Sequence, residues 1–347
     1  MDSLIDQLRA KVDLQQNDME SAAEFLLDAQ ASSEKKAALL EALSKKGETA
    51  AEIVGFVEVF LRHAVNPNLA GLSLAGPTLD LCGTGGDQLH LFNVSTTSMF
   101  IAAAAGAIVV KHGNRGITSK SGGADVLEAM GVRLDLSPDA FRRCIEHAGV
   151  GFLYAPSYHP AFKAVVEARK MLGARKVRTI FNLIGPLLNP ARPQCQLVGV
   201  YDRHLCPIFA EILQRMGRKS VWAVHGSTAD GGAVDEMSLM GTTTICRAGV
   251  DALSCEEQIT PEDLELCRAE VGELQGGDAK ENAIILEAIL RGEDRGPKRD
   301  MVLLNAAAAI ACAGLSRDMR EGLAMAREAI DSGAAWDKVR LLQQFAQ

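Results

Sequence analysis

The residues most able to do chemistry sit in "DLCGTGGDQLHLFNVST", residues 80 to 96. There Gly83, Gly85 and Gly86 fall within four positions, Asp87 follows at once, and Asn93, Val94, Ser95 and Thr96 close the run where a helical pattern begins. A glycine cluster turns with positive φ and brings backbone N–H groups close to a ligand, at a cost in folding entropy. Placed after the strand-like "TLDLC" and before the helix-like "STTSMFIAAAAG", this loop sets its N–H groups at the carboxyl end of a strand and beside a helix N-terminus, where phosphate oxygens bind. The spacing fits neither GxGxxG nor GxxxxGK[ST], which disfavours a dinucleotide or Walker-type site. Taken alone, the glycines fit a tight turn equally well, and Ser95 and Thr96 read either as helix caps or as hydroxyls able to hold Mg²⁺ beside a phosphate loop.

A second loop, "KHGNRGITSKSGGAD" (111 to 125), gathers Lys111, Arg115 and Lys120 among glycines and hydroxyls after the strand-like "AIVVKHG". Such a composition favours a polyanion over plain solvated surface, because Arg forks onto phosphate and Lys neutralises it as a point charge. Asp235 and Glu236 follow the strand-like "SVWAVHG". Adjacent carboxylates on a loop normally mean little, but a phosphate-rich site in an acidic protein needs oxygen ligands for Mg²⁺, and one or two carboxylates with substrate phosphates supply them.

The elements that must carry these loops are legible as a change of pattern. Residues 1 to about 65 are rich in Ala, Leu, Glu and Lys, with helix punctuation at Asn17, Asp18, Gly47 and Thr49, and predict several short helices. "NPNLAGLSLAGP" (66 to 77) interrupts both periodicities as a hinge. Beyond it the runs "TLDLC", "AIVVKHG", "VRLDL", "GFLYAP", "CQLVGVY" and "SVWAVHG" alternate with helical stretches, which predicts parallel strands covered on both faces. Residues 159 to 190 read as helical again. The expectation is an α/β domain over 71–347, its mostly parallel central sheet flanked by helices, and a small all-helical domain over 1–70 joined by helices from about 160–190. The alanine runs 102 to 105 and 306 to 309 suit close helix packing.

With 347 residues and 48% hydrophobic content the chain can bury a large core. A formal net charge of −8 argues against coating nucleic acid. The eight cysteines show no CxxC spacing and read as reduced core residues. "MDSLIDQLRA" lacks a basic region followed by an apolar run, and no apolar stretch nears the roughly 20 residues of a membrane span, so the expected setting is cytoplasmic.

Taken together, "GTGGD", "NVST", "KHGNRGITSKSGGAD", "YHPAFKAVVEARKMLG", "RTIFNLIGPLLNP", "VDEMSLMG" and "GPKRDMVLLNAAAAI" resemble the anthranilate phosphoribosyltransferases, in order and over nearly the whole chain. The resemblance implies a site in a cleft between a helical and an α/β domain, a homodimer formed through the helices, and transfer of phosphoribosyl from 5-phosphoribosyl 1-diphosphate to anthranilate in tryptophan biosynthesis. It admits an anthranilate synthase amidotransferase subunit as a partner and leaves no role for nucleic acid or membrane. By resemblance Gly83, Gly86, Asp87, Asn93, Val94, Ser95, Thr96, Lys111, His112, Gly113, Asn114, Arg115 and Ser119 meet the donor. Ser95, Asp235 and Glu236 are the implied Mg²⁺ ligands. Gly83, Asn114 and Arg169 are the implied acceptor contacts, with Arg169 on the carboxylate and His112 and His159 lining the approach.

Departures from that pattern are specific. Gln88 and Leu91 stand where the family usually has glycine and threonine, and Leu91 has no hydroxyl to offer a phosphate. Gly116 and Gly123 replace frequent serines. Motif spacing puts about three extra residues near Arg175 and about four near Asp230. Two other functions fit parts of the pattern: a pyrimidine nucleoside phosphorylase, which needs no Mg²⁺, and a non-catalytic nucleic-acid-binding paralogue, which needs a basic exterior. The Asp235–Glu236 pair and "KHGNR" favour the transferase over the first, and the acidic balance opposes the second.

Overall fold

The computed structural model describes residues 1–86, 89–116, 120–249 and 252–345. The chain forms two compact units, Met1–Asn66 with Ala155–Pro190, and Pro67–Tyr154 with Ala191–Gln347.

The first unit begins with α1 (Asp2–Arg9), α2 (Gln16–Leu27), α3 (Ser33–Lys46) and α4 (Ala50–Arg62). Local chemistry explains these boundaries. Ser32 caps α3 by accepting the Lys35 N–H at 3.2 Å, and Gly47, at φ 92°, ends it. Two residues on, Thr49 and Glu52 form a reciprocal capping box that starts α4.

The chain then enters the second unit with β1 (Thr78–Gly83), α5 (Val94–Ala104), β2 (Ile108–Gly113), α6 (Gly123–Ala129), α7 (Pro138–Ala148) and β3 (Val150–Tyr154). It returns to the helical unit through α8 (Ala155–Tyr158), a 3₁₀ turn over Pro160–Val165 and α9 (Val166–Ala174), followed by short 3₁₀ turns at Ile180–Asn182 and Gly185–Leu187. Lys36, 1% exposed on α3, fastens this returning segment: its ammonium donates to the carbonyls of Asp28 at 2.6 Å and Ala164 at 2.8 Å. Phe60 stacks on Phe181 and meets Phe162 edge to face, so the two stretches of the unit share an aromatic core.

The remainder of the second unit comprises β4 (Cys195–Gly199), α10 (Leu205–Arg215), β5 (Ser220–Ser227), β6 (Ala233–Val234), β7 (Thr243–Gly249), β8 (Ala252–Ile259), α11 (Val271–Leu274), α12 (Ala279–Leu290), α13 (Pro297–Cys312), α14 (Met319–Asp331) and α15 (Ala334–Gln344). The sheet runs β3-β2-β1-β4-β5-β7-β8, with β6 beside β5. The pairs from β3 through β5 are parallel, and β6, β7 and β8 join antiparallel. A mostly parallel sheet flanked by helices is therefore the architecture, as expected; its antiparallel edge is an addition that the sequence reading did not anticipate.

One expected strand is absent. "VRLDL" (132 to 136) buries Val132 and Leu134 without joining the sheet. Alternation records burial on one side, and an extended connection packed over the core meets that condition as well as a strand does. The alanine runs fall on α5 and α13, which approach closely enough for the Ser98 hydroxyl to donate to the Val302 carbonyl at 3.3 Å. Among the described residues no helix is long and apolar enough to cross a membrane.

Candidate active site

Strand order locates the site before any side chain is considered. From β1 the chain steps outward to β2 and β3 on one side, then to β4 and β5 on the other, so the order reverses between β1 and β4. At such a switch point the loops leave in opposite directions and open a crevice at the carboxyl ends of the strands. Gly83 and Gly199 are register partners at that spot, the last residues of β1 and β4.

Over these two glycines lies the segment carrying Asp235 and Glu236. A Cβ on Gly199 would overlap the Asp235 carbonyl, one on Gly83 would strike the Asp235 carboxylate, and one on Gly226 would crowd the Glu236 carbonyl. Three strand-end glycines are thus required for the acidic pair to approach the glycine loop. The contact is direct: the Gly85 N–H donates to Asp235 Oδ2 at 2.6 Å. Gly85 and Gly86 adopt φ of 72° and 103°, and the Thr84 N–H donates to the Gly199 carbonyl at 2.9 Å. The Thr84 hydroxyl also accepts the Tyr201 N–H at 3.1 Å, so the loop is tied to both strand ends.

Beside the loop, α5 starts at Val94 with no side chain capping it. Asn93 occupies the cap position but its amide is used elsewhere, donating to the Ser121 carbonyl at 3.2 Å and accepting from the Asn282 amide at 2.9 Å. Ser95 and Thr96 lie inside the first turn and are not caps. The Lys111 ammonium, 4% exposed, donates to the Ser95 hydroxyl at 3.2 Å and to the Leu81 carbonyl. It brings a positive charge to the floor between the first turn of α5 and the end of β1. His112 is buried next to it, its N–H on Asp80 Oδ1 at 3.3 Å, and Gly113 admits the Phe152 ring where β2 ends. Burial first, and then Asp80, push the Cys82 thiol far above its ordinary value, which favours its protonated form.

In the second loop, Asp125 accepts the N–H groups of Gly116 and Gly122, each at 2.8 Å. Burial works to raise its carboxyl, but those two bonds and Arg115 hold it below the ordinary value. Arg115 is turned toward acids: it pairs with Glu128, donates to Asp125 at 3.3 Å and to the Tyr154 hydroxyl at 3.2 Å. The Asn114 side chain accepts the Arg115 N–H at 2.8 Å. A Cβ on Gly123 would sit 2.9 Å from the Thr96 hydroxyl, which explains glycine there in physical terms. Asp87, Gln88 and Ser119 lie outside the described residues.

The extra residues near Asp230 form a self-contained turn. Thr228 and Gly232 exchange hydrogen bonds across it, so β6 still returns antiparallel to β5 and delivers Asp235 over β4. Those near Arg175 fall in the turn that follows α9, where Arg175 pairs with Glu41 at 2.5 Å. On the same helix Arg169 is exposed, its guanidinium 5.1 Å above the Phe181 ring centre. His159, 5% exposed, bonds the Leu188 carbonyl through Nε2 at 2.8 Å and stacks on Phe162; burial pulls its pKa down to about 4.

The second unit therefore brings Gly83, Gly85, Ser95, Lys111, Asp235 and their neighbours into one constellation, and directs Arg115 to its own carboxylates. Sequence reading missed residues that hold this constellation, namely Gly199, Gly226, Asp125 and Asn282. Asp125 closes the second loop motif without standing out in it, Gly226 ends a strand-like run and Gly199 lies inside one, and nothing local marks Asn282. Among the described residues no three His, Cys, Asp or Glu side chains cluster to hold a metal by themselves. Ser95, Asp235 and Glu236 are all hard oxygen donors, a set suited to Mg²⁺ that also draws on water and substrate oxygens.

The family model for the glycosyl transferase a/b domain matches residues 75–336, and that for the helical bundle domain matches residues 2–64. An anthranilate phosphoribosyltransferase of Anaeromyxobacter dehalogenans strain 2CP-C is 45% identical over 317 residues, covering 91% of this chain and 90% of its own length. One from Haloferax volcanii is 44% identical over 346 residues, 99% and 100% of the two chains. The crystal structure of the Thermus thermophilus enzyme superimposes with a TM-score of 0.88 at 35% identity, over 99% of each chain. The Saccharomyces cerevisiae enzyme in complex with PRPP and Mg does so with 0.85 at 27% identity, over 99% of this chain and 97% of its own. Likeness of this extent, over both units and the whole arrangement of strands that carries the loops, means that the chain belongs to the anthranilate phosphoribosyltransferase family.

Proposed function

We propose that the chain transfers the 5-phosphoribosyl group of 5-phosphoribosyl 1-diphosphate to the amine of anthranilate, in tryptophan biosynthesis. The C1–O bond breaks with its electron pair leaving on pyrophosphate, and the C1–N bond forms to give N-(5-phosphoribosyl)anthranilate with loss of one amine proton. The observation that carries the reading is the meeting of the Gly83–Gly86 loop, the uncapped start of α5 and the Asp235–Glu236 segment at the switch point.

Departure of pyrophosphate builds oxocarbenium character at C1, so the chain acts chiefly by stabilising the departing charge. The loop N–H groups, the first turn of α5 and Lys111 supply positive potential where that charge collects. With Asp235 holding a cation, the Gly85 N–H that it accepts here would be left for a phosphate oxygen. Ser95, Asp235 and Glu236 would hold Mg²⁺, which when bound supplies neutralisation of the diphosphate. Arg169 takes the acceptor carboxylate, and Asn114 and Gly83 complete its contacts. An aromatic amine is neutral at pH 7, so orientation of this nucleophile supplies much of the remaining rate. A homodimer formed through the helical unit and a cytoplasmic setting belong to the same reading.

Loss of anthranilate fluorescence on mixing with 5-phosphoribosyl 1-diphosphate and Mg²⁺ tests it, and no loss over minutes would count against it. Arg169→Ala is expected to raise the anthranilate KM at least about tenfold while leaving the donor KM nearly unchanged. Equal increases in both would remove the role given to Arg169.

A further inference from the structure

The stretch "GPKRDMVLLNAAAAI" lies outside the loops that form the site, yet it places one polar side chain inside an apolar helix. Asn305 is 1% exposed on α13, between the buried Leu304 and Ala306. Its Oδ1 accepts the Met237 N–H at 2.9 Å. Its Nδ2 donates to the Met237 carbonyl at 3.0 Å and to the Met301 carbonyl at 2.9 Å. Turning the amide over would set its oxygen against two carbonyls and its NH₂ against an N–H, so the partners determine its orientation.

Only Asn and Gln carry a donor and an acceptor on one rigid plane that matches the N–H and C=O of a single residue. Asp has the same shape but, when ionised, cannot donate to the Met237 carbonyl. Met237 follows Asp235 and Glu236 directly. On the other side of that segment, Gly199 and Gly226 let the carbonyls of Asp235 and Glu236 approach the ends of β4 and β5. Residues 235 to 237 are thus set by the strand ends and by one side chain of α13.

We propose that Asn305 is a positioning residue for the Asp235 and Glu236 carboxylates: it sets the backbone from which both project, and through them the affinity for the divalent cation and the donor it accompanies. The inference rests on the reading of this segment as the Mg²⁺-holding part of the site. Partners that orient metal ligands without touching the metal typically alter its affinity about 10- to 100-fold.

Calorimetry of 5-phosphoribosyl 1-diphosphate binding to the full-length protein over a series of Mg²⁺ concentrations tests it. Asn305→Ala is expected to raise the Mg²⁺ concentration for half-maximal donor binding about tenfold. The anthranilate KM at saturating Mg²⁺ should stay within about twofold. Leu304→Ala, chosen to cost similar thermal stability on the same helix, should leave the Mg²⁺ requirement unchanged. A parental requirement in Asn305→Ala, or an equal shift in Leu304→Ala, overturns the proposal. Should Asn305→Ala not fold, Asn305→Ser, which leaves room for a water to bridge to Met237, takes its place with the same expected shift and the same overturning results. No Mg²⁺-dependent heat in the parent protein sinks the reading of the site itself, whereas a responsive parent with an unshifted variant sinks only the role of Asn305.

Discussion

Glycine does opposite work at different places in this chain, and one substitution separates the cases. At Gly199 a Cβ has no room because the Asp235 carbonyl lies against the strand, so Gly199→Ala should cost about 3 kcal/mol and weaken donor binding together with stability. At Gly173, in α9, a Cβ meets nothing within 4 Å, and Gly173→Ala should stabilise by about 0.5 kcal/mol through helix propensity and a less flexible unfolded chain. Urea denaturation of both variants checks the pair, and a neutral Gly199→Ala would refute the close approach on which the acidic segment depends.

Among the elements, α4 shows how a local start signal becomes a tertiary joint. Glu52, 1% exposed, accepts the Thr49 N–H at 2.9 Å and hydroxyl at 3.0 Å within its capping box. The same carboxylate pairs with Lys46 at 2.8 Å and accepts the Leu14 N–H at 2.9 Å, so one side chain joins α4 to the end of α3 and to the connection before α2. Glu52→Ala should therefore cost about 3 kcal/mol, well above the roughly 1 kcal/mol of a lost cap, because the Lys46 ammonium and the Leu14 N–H lose a buried partner. A measured loss near 1 kcal/mol would reduce Glu52 to its capping role. The Thr49 start and the Gly47 stop could be read from the sequence, since both are local chemistry. The link to Leu14 could not, because it depends on how α2 and α4 pack.

For the molecule as a whole, acid stability is set partly by a histidine that the fold keeps neutral. Burial lowers the His159 pKa to about 4, while an unfolded chain titrates near the ordinary value of about 6.5. Between those values the unfolded state binds a proton that the folded state refuses, so stability falls as pH drops through the window, by up to about 3 kcal/mol. The thermal midpoint should decline more steeply from pH 6.5 to 4 in the parent than in His159→Gln. Parallel slopes would mean that other groups control the acid limb.

The amino-acid sequence by itself determined the mostly parallel α/β class, several of its strands and helices, and the glycine, lysine and acidic segments that could handle a diphosphate. Periodicity, turn chemistry and residue type are properties of short stretches, so they survive without coordinates. Tertiary structure alone decided that Gly83 and Gly199 face each other at the switch point, that Asp235 bonds the Gly85 N–H, that Arg115 turns to Glu128, and that "VRLDL" is no strand. Each of these depends on which distant backbone or side chain comes within a few ångströms. Strand order and close packing select that neighbour, and no window of neighbouring residues encodes either.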